Sequence, residues 1–376
     1  MKFIRTYMLL FFVLSLFRYN VILAEDCPKS LEELKKLSSL SKSNEKKDLL
    51  DVVMKMCPSL LEAYYEYGRF YLDERQYALA EEKFLQAEKL KPRMEHVLGI
   101  AKAKTLLNDY VGAENIYKDA IGRYSGHWSL LEGLGTLYIV LGRNQEAEEL
   151  FRQALQDQSS VGSIFYNLGV SLEKQGRTDE ALVSYRTALE KSPRQIESRV
   201  ALMRSLFQRG AFLEAKLLGE QGILHSPKDE NLLLMQIQIL ESEGDVESAL
   251  ALIERLLVST MNKSQANAMK GVLMMKHGED GQGFDLLKKL FDQDSDNPEI
   301  LRAYGWALVR KGSFSEAEGV LERAIQLNPD DGSSLNNLGV ALEEQGKIDR
   351  AKEIYRRAVA IVPYSDIVQL NQQKYQ

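Results

Sequence analysis

The chain has 376 residues, of which 45% are hydrophobic and 27% charged. That balance excludes a disordered or low-complexity protein, and the length alone suggests two or three domains. The formal charge is −6, and the first 24 residues hold three cations and no acid, so the rest is more acidic still, which argues against nucleic acid or anionic lipid as the main partner.

The N-terminus reads separately from the fold. Lys2 and Arg5 precede an apolar run from Tyr7 to Phe17, and Ala24 offers a small residue for cleavage before Glu25. Residues 1–24 are therefore expected to be a secretory signal, and the protein to be exported, periplasmic or secreted. The alternative is an uncleaved anchor over residues 7–24, which would carry Arg18 and Asn20 into the membrane. Glu25 and Asp26 before Cys27 do not suit lipoprotein acylation, and no later stretch is long and apolar enough to span.

Residues 25–60 follow as a capping hairpin. SLEELKKLSSL and EKKDLLDVVMKM read as two short amphipathic helices around the polar turn SKSNE. Cys27 and Cys57, each followed by proline, sit at the two ends of this hairpin. In an oxidising compartment they are candidates for a disulfide; a metal or redox site is disfavoured because no histidine lies near.

From there a period governs the chain. NLGVSLEKQGRTDEAL begins at Asn167 and NLGVALEEQGKIDRAK at Asn337, a separation of five 34-residue steps. Glycine recurs at every step from Gly142 through Gly176, Gly210, Gly244, Gly278 and Gly312 to Gly346, with Asn108 one step earlier. These residue types tolerate the left-handed conformation that ends a helix in a sharp turn. Five residues beyond each turn the side chain is small, from Ala80 to Ala351, with Gly283 as the one glycine. Seven residues before the turn it is again small, as at Gly68, Ala101, Gly135, Gly169, Gly271, Gly305 and Gly339, while Met203 and Ile237 depart. The two small ladders are expected to face each other and let paired helices cross closely. Larger residues four beyond the alanine, among them Phe84, Phe151, Tyr185 and Tyr355, fill the same helical face, and prolines such as Pro92, Pro193 and Pro329 close several repeats.

A pattern of small, small, aromatic, small and proline on a 34-residue helix–turn–helix period resembles the tetratricopeptide repeat family. The resemblance implies an all-α, right-handed superhelical solenoid. It places about nine repeats over residues 61–365, starting near Leu61, Met94, Trp128, Gly162, Ile196, Glu230, Ser264, Pro298 and Gly332. The polar tail 366–376 would be a short capping helix. Repeats five to seven depart from the pattern, with Gly219 and Gly222 in the fifth and Gly281 and Gly283 in the seventh. Either the helices pack more closely there or the middle is flexible.

Nothing in the chain points to catalysis or a cofactor. The histidines His96, His127, His225 and His277 are scattered, no phosphate-binding, dinucleotide-binding or nucleophile-elbow motif is present, and the pairs Glu148–Glu149 and Glu343–Glu344 read as solvated helix faces. The resemblance instead implies a scaffold that binds protein or peptide partners in a groove lined by the first helix of each repeat. The groove positions carry Tyr65, Arg69, Tyr166, Arg204, Phe207, Arg302, Trp306 and Arg310, with Asn167 and Asn337 at the sixth position. Aromatics and arginines suit an extended or acidic peptide; alternatively some of them pack between repeats. A carboxylate clamp of the chaperone-binding kind is not expected: Glu132, Thr136, Glu197 and Ala201 surround Asn167, and Trp306 stands where an asparagine would be near Asn337. A membrane-anchored scaffold and a regulatory subunit of an envelope enzyme complex remain as alternatives. The triplet Asn262-Lys263-Ser264 is a glycosylation acceptor only in a eukaryotic source.

Overall fold

The computed structural model describes residues 27–158 and 160–361, together with 371, 373 and 374. The signal or anchor segment and most of the expected capping tail lie outside the described residues. Among these residues the chain is helical throughout, and it divides into two compact units between Pro193 and Arg194.

The first unit opens with α1 (27–35), which runs into a 3-10 turn at Lys36–Ser39, and with α2 (Ser43–Met56). Four helix pairs follow: α3 (Leu61–Asp73) with α4 (Tyr77–Leu90), α5 (Met94–Leu106) with α6 (Tyr110–Arg123), α7 (Trp128–Val140) with α8 (Asn144–Asp157), and α9 (Gly162–Lys174) with α10 (Thr178–Lys191). Five more pairs make the second unit: α11 (Ile196–Gln208) with α12 (Phe212–His225), α13 (Glu230–Glu243) with α14 (Val246–Ser259), α15 (Lys263–Lys276) with α16 (Asp280–Gln293), α17 (Pro298–Arg310) with α18 (Phe314–Leu327), and α19 (Gly332–Glu344) with α20 (Ile348–Ile361). Within each unit a helix packs on its partner and on the first helix of the next pair.

The turn ladder has a conformational cause. Gly176 has φ +77°, its N–H bonds to the Glu173 carbonyl at 2.9 Å, and the Arg177 N–H bonds to the Leu172 carbonyl at 3.0 Å. Two carbonyls left open at the helix end are thereby satisfied. Asn108 takes the same conformation, and so does Arg75, one step earlier, where the sequence offers no glycine or asparagine to mark the turn.

The ladder glycines Gly68, Gly135, Gly169, Gly271, Gly305 and Gly339 each face the large side chain that stands four residues beyond the small position of the second helix. A methyl group on Gly68 or Gly135 would lie 2.6 Å from the ring of Phe84 or Phe151, and one on Gly169 would lie 2.5 Å from the Tyr185 ring. Such contacts are too close for any Cβ, so the absent side chain is the hole that the ring fills. In the seventh repeat the two small positions meet, as expected, since a Cβ on Gly283 would lie 2.6 Å from the Gly271 carbonyl.

The departures of the fifth repeat follow the same rule with its members exchanged. Met203 stands in the first helix where glycine is usual, and its Cε, 2.6 Å from where a Cβ would be, shares the space over Gly219 with the Gln236 side chain. The buried Arg199 lays its Cδ over Gly222 and donates from Nη1 to the Leu218 carbonyl at 3.0 Å. Gly219 and Gly222 are thus covered by neighbours, which is close packing, whereas Gly281 of the seventh repeat faces open space.

A further ladder ties successive repeats together. The residue after the second-helix alanine pairs with a charge 29 positions on: Glu114 with Arg143 at 3.1 Å, Glu148 with Arg177 at 2.6 Å, and Glu318 with Lys347 at 2.5 Å. At the equivalent place in the fifth repeat the signs are reversed, with Lys216 3.6 Å from Asp245 and 2.9 Å from Glu243. Hydrogen bonds from Lys118, Tyr138 and Arg143 hold the Glu114 carboxyl down at about 2. Burial pushes Glu148 up, but bonds from Gln175 and Arg152 and the charge of Arg177 outweigh it, so its carboxyl also sits below the ordinary range. Two acids expected to be freely solvated are therefore structural: Glu148 is buried in this network, and Glu343 accepts the Tyr355 hydroxyl at 2.8 Å.

The two outer ends are closed by different means. Cys27 and Cys57 form a disulfide with Cα atoms 5.2 Å apart, which holds the start of α1 at the end of α2 beside the apolar cluster of Leu34, Leu50, Val53 and Tyr67. At the other end Asn371 donates to Asn336 at 2.9 Å.

Candidate peptide-binding grooves

First helices line one groove in each unit. Their fifth and sixth positions lie side by side in successive repeats, and that contact decides what each groove offers.

In the first unit the groove encloses about 650 Å³ and is lined by Tyr65, Arg69, Glu95, Lys102, Glu132 and Asn167, with the edges of Phe84 and Tyr117 beneath. Asn167 donates from Nδ2 to Glu132 Oε1 at 3.1 Å. Burial pushes the Glu132 carboxyl up, and hydrogen bonds from Ser163 and Asn167 hold part of that rise back. The sixth-position asparagine is thus already engaged by its neighbour. Tyr65 is half-buried with its ring 5.7 Å from those of Phe84 and His96, and Arg69 is exposed and tied to Glu66 at 3.2 Å. Tyr166 packs on Tyr185 at 5.9 Å and does not line this groove.

In the second unit the groove encloses about 470 Å³. Its apolar floor is made by Ile237, Ile253, Ala268, Val272 and Leu273, and one wall by Arg302, Trp306, Asn336 and Asn337. Here the fifth-position residue is Arg302 and the sixth-position residue is Asn337. Both are half-buried, and among the described residues neither has a hydrogen-bond or ion-pair partner. Across the floor Lys276 and Glu241 are paired with each other.

The remaining groove candidates are not gathered with them. Arg310 is committed to Asp280 at 3.0 Å, with its guanidinium 5.8 Å above the Trp306 ring. Phe207 packs edge-on against Phe212 at 5.3 Å and lines a separate hollow with Glu241 and Lys276. Arg204 is exposed outside both grooves. Glu132 stands beside Asn167 as its position implies, whereas Asn336, also in the second groove, carries no sequence signal that singles it out. Among the described residues no three His, Cys, Asp or Glu side chains gather as a metal site would require, and no helix is long and apolar enough to cross a membrane.

Comparison with known proteins agrees with this architecture. Family models described as tetratricopeptide repeat match residues 61–94, 98–162, 133–196 and 286–366, more than half of the chain. The interval from 197 to 285 that they leave unmatched includes the fifth repeat, where the packing is exchanged. No curated protein matches the chain. Among solved structures, a tetratricopeptide repeat protein from Parabacteroides merdae is similar at 17% identity, over 65% of this chain and 97% of that one, with a TM-score of 0.45. The chain belongs to the tetratricopeptide repeat family, with an all-α repeat fold.

Proposed function

We propose that the protein is an exported, non-enzymatic scaffold whose second-unit groove holds an extended segment of a partner protein. One observation carries the reading: Arg302 is half-buried and unpartnered, and it stands beside Trp306 and Asn337 over an apolar floor. A guanidinium partly withdrawn from water gains most when a carboxylate arrives, since paired charge-assisted hydrogen bonds then replace incomplete solvation. Arginine and tryptophan on the wall of an apolar hollow are also the side chain types most enriched among those that dominate binding energies. The partner segment therefore carries an acidic residue for Arg302 close to an aliphatic or aromatic residue for the floor. The disulfide between Cys27 and Cys57 fits an oxidising compartment. An uncleaved segment 7–24 would hold the same scaffold at a membrane, beside an enzyme complex that it regulates, and the N-terminal sequence of the mature protein distinguishes the two.

Peptide display on the chain from Glu25, comparing the wild type with Arg302→Ala and with Trp306→Ala, tests the site. Selected peptides should be rich in acidic residues next to apolar ones. Arg302→Ala should remove the acidic preference and Trp306→Ala should weaken capture at least tenfold, both with unchanged circular dichroism. Peptides retained equally by both variants would place the site elsewhere.

A further inference from the structure

The largest apolar side chains exposed on the described chain are not scattered. Met261 is 99% exposed, Val258 84% and Leu224 81%, and all three lie at one edge of the second unit. Leu224 is in the last turn of α12 and Val258 in the last turn of α14, at the same position one 34-residue step apart, while Met261 is in the turn that follows. In the other repeats that position is polar or small, as at Lys89, Gly122, Gln156, Glu190, Asp292, Gln326 and Ala360. Two contacts hold the helix ends together: Arg255 Nη2 donates to the Pro227 carbonyl at 3.1 Å, and Thr260 Oγ1 donates to Glu230 at 2.9 Å. Further along α12, Leu213 and Leu217 are exposed on the same face.

Single exposed leucines need no explanation, but a contiguous patch does. The charges around this one are informative because the chain as a whole is acidic. Lys228, Arg255, Lys263 and His225 are exposed among the apolar tips. Of the nearby acids, Asp229 is spent capping the Leu232 N–H, Glu230 accepts the Thr260 hydroxyl, and Glu254 is paired with Lys270, which leaves Glu220 one turn back from the edge. Apolar tips interleaved with cations are what an interfacial membrane contact needs: the tips enter the headgroup and acyl boundary while the cations meet phosphates. A second copy docked by a two-fold axis would instead bring the same cations against one another.

We infer that this edge of the second unit rests on a lipid surface bearing anionic headgroups, with Leu224, Val258 and Met261 inserted and Lys228 and Lys263 against phosphates. The contact is local and coexists with a net charge that disfavours anionic lipid elsewhere on the chain. It is independent of the groove and of the segment 1–24.

Flotation of the chain from Glu25, which contains every described residue, with vesicles of phosphatidylcholine alone or mixed equally with phosphatidylglycerol tests the inference. The protein should float with the mixed vesicles, at least tenfold less with phosphatidylcholine alone, and progressively less as salt is raised. The triple variant Leu224→Ser, Val258→Ser, Met261→Ser and the double variant Lys228→Glu, Lys263→Glu should each lose flotation with unchanged thermal unfolding, because every altered side chain is exposed. Failure of the wild type to float, or flotation retained by both variants, overturns it. So does self-association that the triple variant abolishes without vesicle binding, which would assign the face to a second copy. A glycan on Asn262 of the native protein, found by mass spectrometry, would hold the edge off a membrane and overturn it equally.

Discussion

Gly169 faces Tyr185 in the first unit, whereas in the second Met203 faces Gly219. Glu148 reaches Arg177 in the first, whereas Lys216 reaches Asp245 in the second. Glu132 accepts from Asn167 in the first, whereas at the matching positions of the second Arg302 and Asn337 have no partner among the described residues. At the first two places the residue types are exchanged and the fit survives. Packing and ion pairing constrain a sum of volumes or charges across a contact, and either partner can supply the larger or the positive member. At the third place the fit does not survive, and the polar groups left over are the ones the groove presents to a ligand.

The largest effect should come from exchanging the packing in the first unit. Tyr185→Ala removes a fully buried ring and should cost about 3–5 kcal/mol. Gly169→Met alone drives a side chain into that ring and should cost about 1–3 kcal/mol. The pair together copies Met203 over Gly219, and should be less destabilising than the sum of the singles by about 1–3 kcal/mol. Hydrogen exchange across α9 and α10 reads the local stability, which suits a repeat array whose unfolding need not be all-or-none. Strict additivity would mean that the exchange seen in the fifth repeat is not compensation.

Next come the two ends. Closing a 30-residue separation, the disulfide should contribute about 3.6 kcal/mol. Replacing both cysteines by serine should speed exchange in α1 and α2 and leave α19 and α20 unchanged, whereas removing residues 366–376 should do the reverse. A change spread evenly along the chain in either variant would show that the ends are not local caps.

The charge ladder should yield smaller numbers. Glu148→Lys puts a cation against Arg152 and Arg177 and should cost about 1–2 kcal/mol, since the partners are partly solvated. Adding Arg177→Asp should recover only part of that, because Arg152 remains beside the new lysine. The same carboxylates set a pH dependence. Glu114 lies below its ordinary value of 4.5, at about 2, and Glu148 is lowered as well. A carboxyl held low in the folded state contributes fully above about pH 4.5 and loses that contribution as the pH falls towards about 2. Glu132 is shifted the other way, so its burial weighs against folding at neutral pH and ceases to do so as it protonates. Unfolding of the first unit followed from pH 6 to pH 2 should therefore steepen below about pH 4.5, and Glu114→Gln should flatten the curve.

How much of this was legible in the sequence depended on what each position requires. A left-handed turn requires glycine or asparagine almost by type, so Gly142 to Gly346 stand out, and Arg75, which tolerates the same φ, does not. The buried alanines are legible for a similar reason, because no other type fits. Complementary positions are not legible one at a time. Met203 looks like an exception until it is set against Gly219, and Glu148 looks solvated until it is set against Arg177. The groove was half legible: Arg302, Trp306 and Asn337 come together as their positions imply, but Arg310 is taken by Asp280, which is thirty residues earlier in the chain and on a second helix.

The finest distinction concerns the two asparagines, whose surrounding sequences are nearly identical. Asn167→Ala deletes a hydrogen bond to a half-buried carboxylate and leaves Ser163 as the remaining side-chain donor to it. It should cost about 0.5–1.5 kcal/mol, and should move the Glu132 carboxyl further up, which carbon-detected titration of the glutamate side chains resolves. Asn337→Ala deletes no bond within the described chain and should change stability by less than about 0.5 kcal/mol. If the groove proposal holds, its cost appears in peptide capture instead, at a site where Arg302→Ala also acts. Equal losses of stability at the two positions would mean that Asn337 has an internal role like that of Asn167, and that the second groove is no more open to a partner than the first.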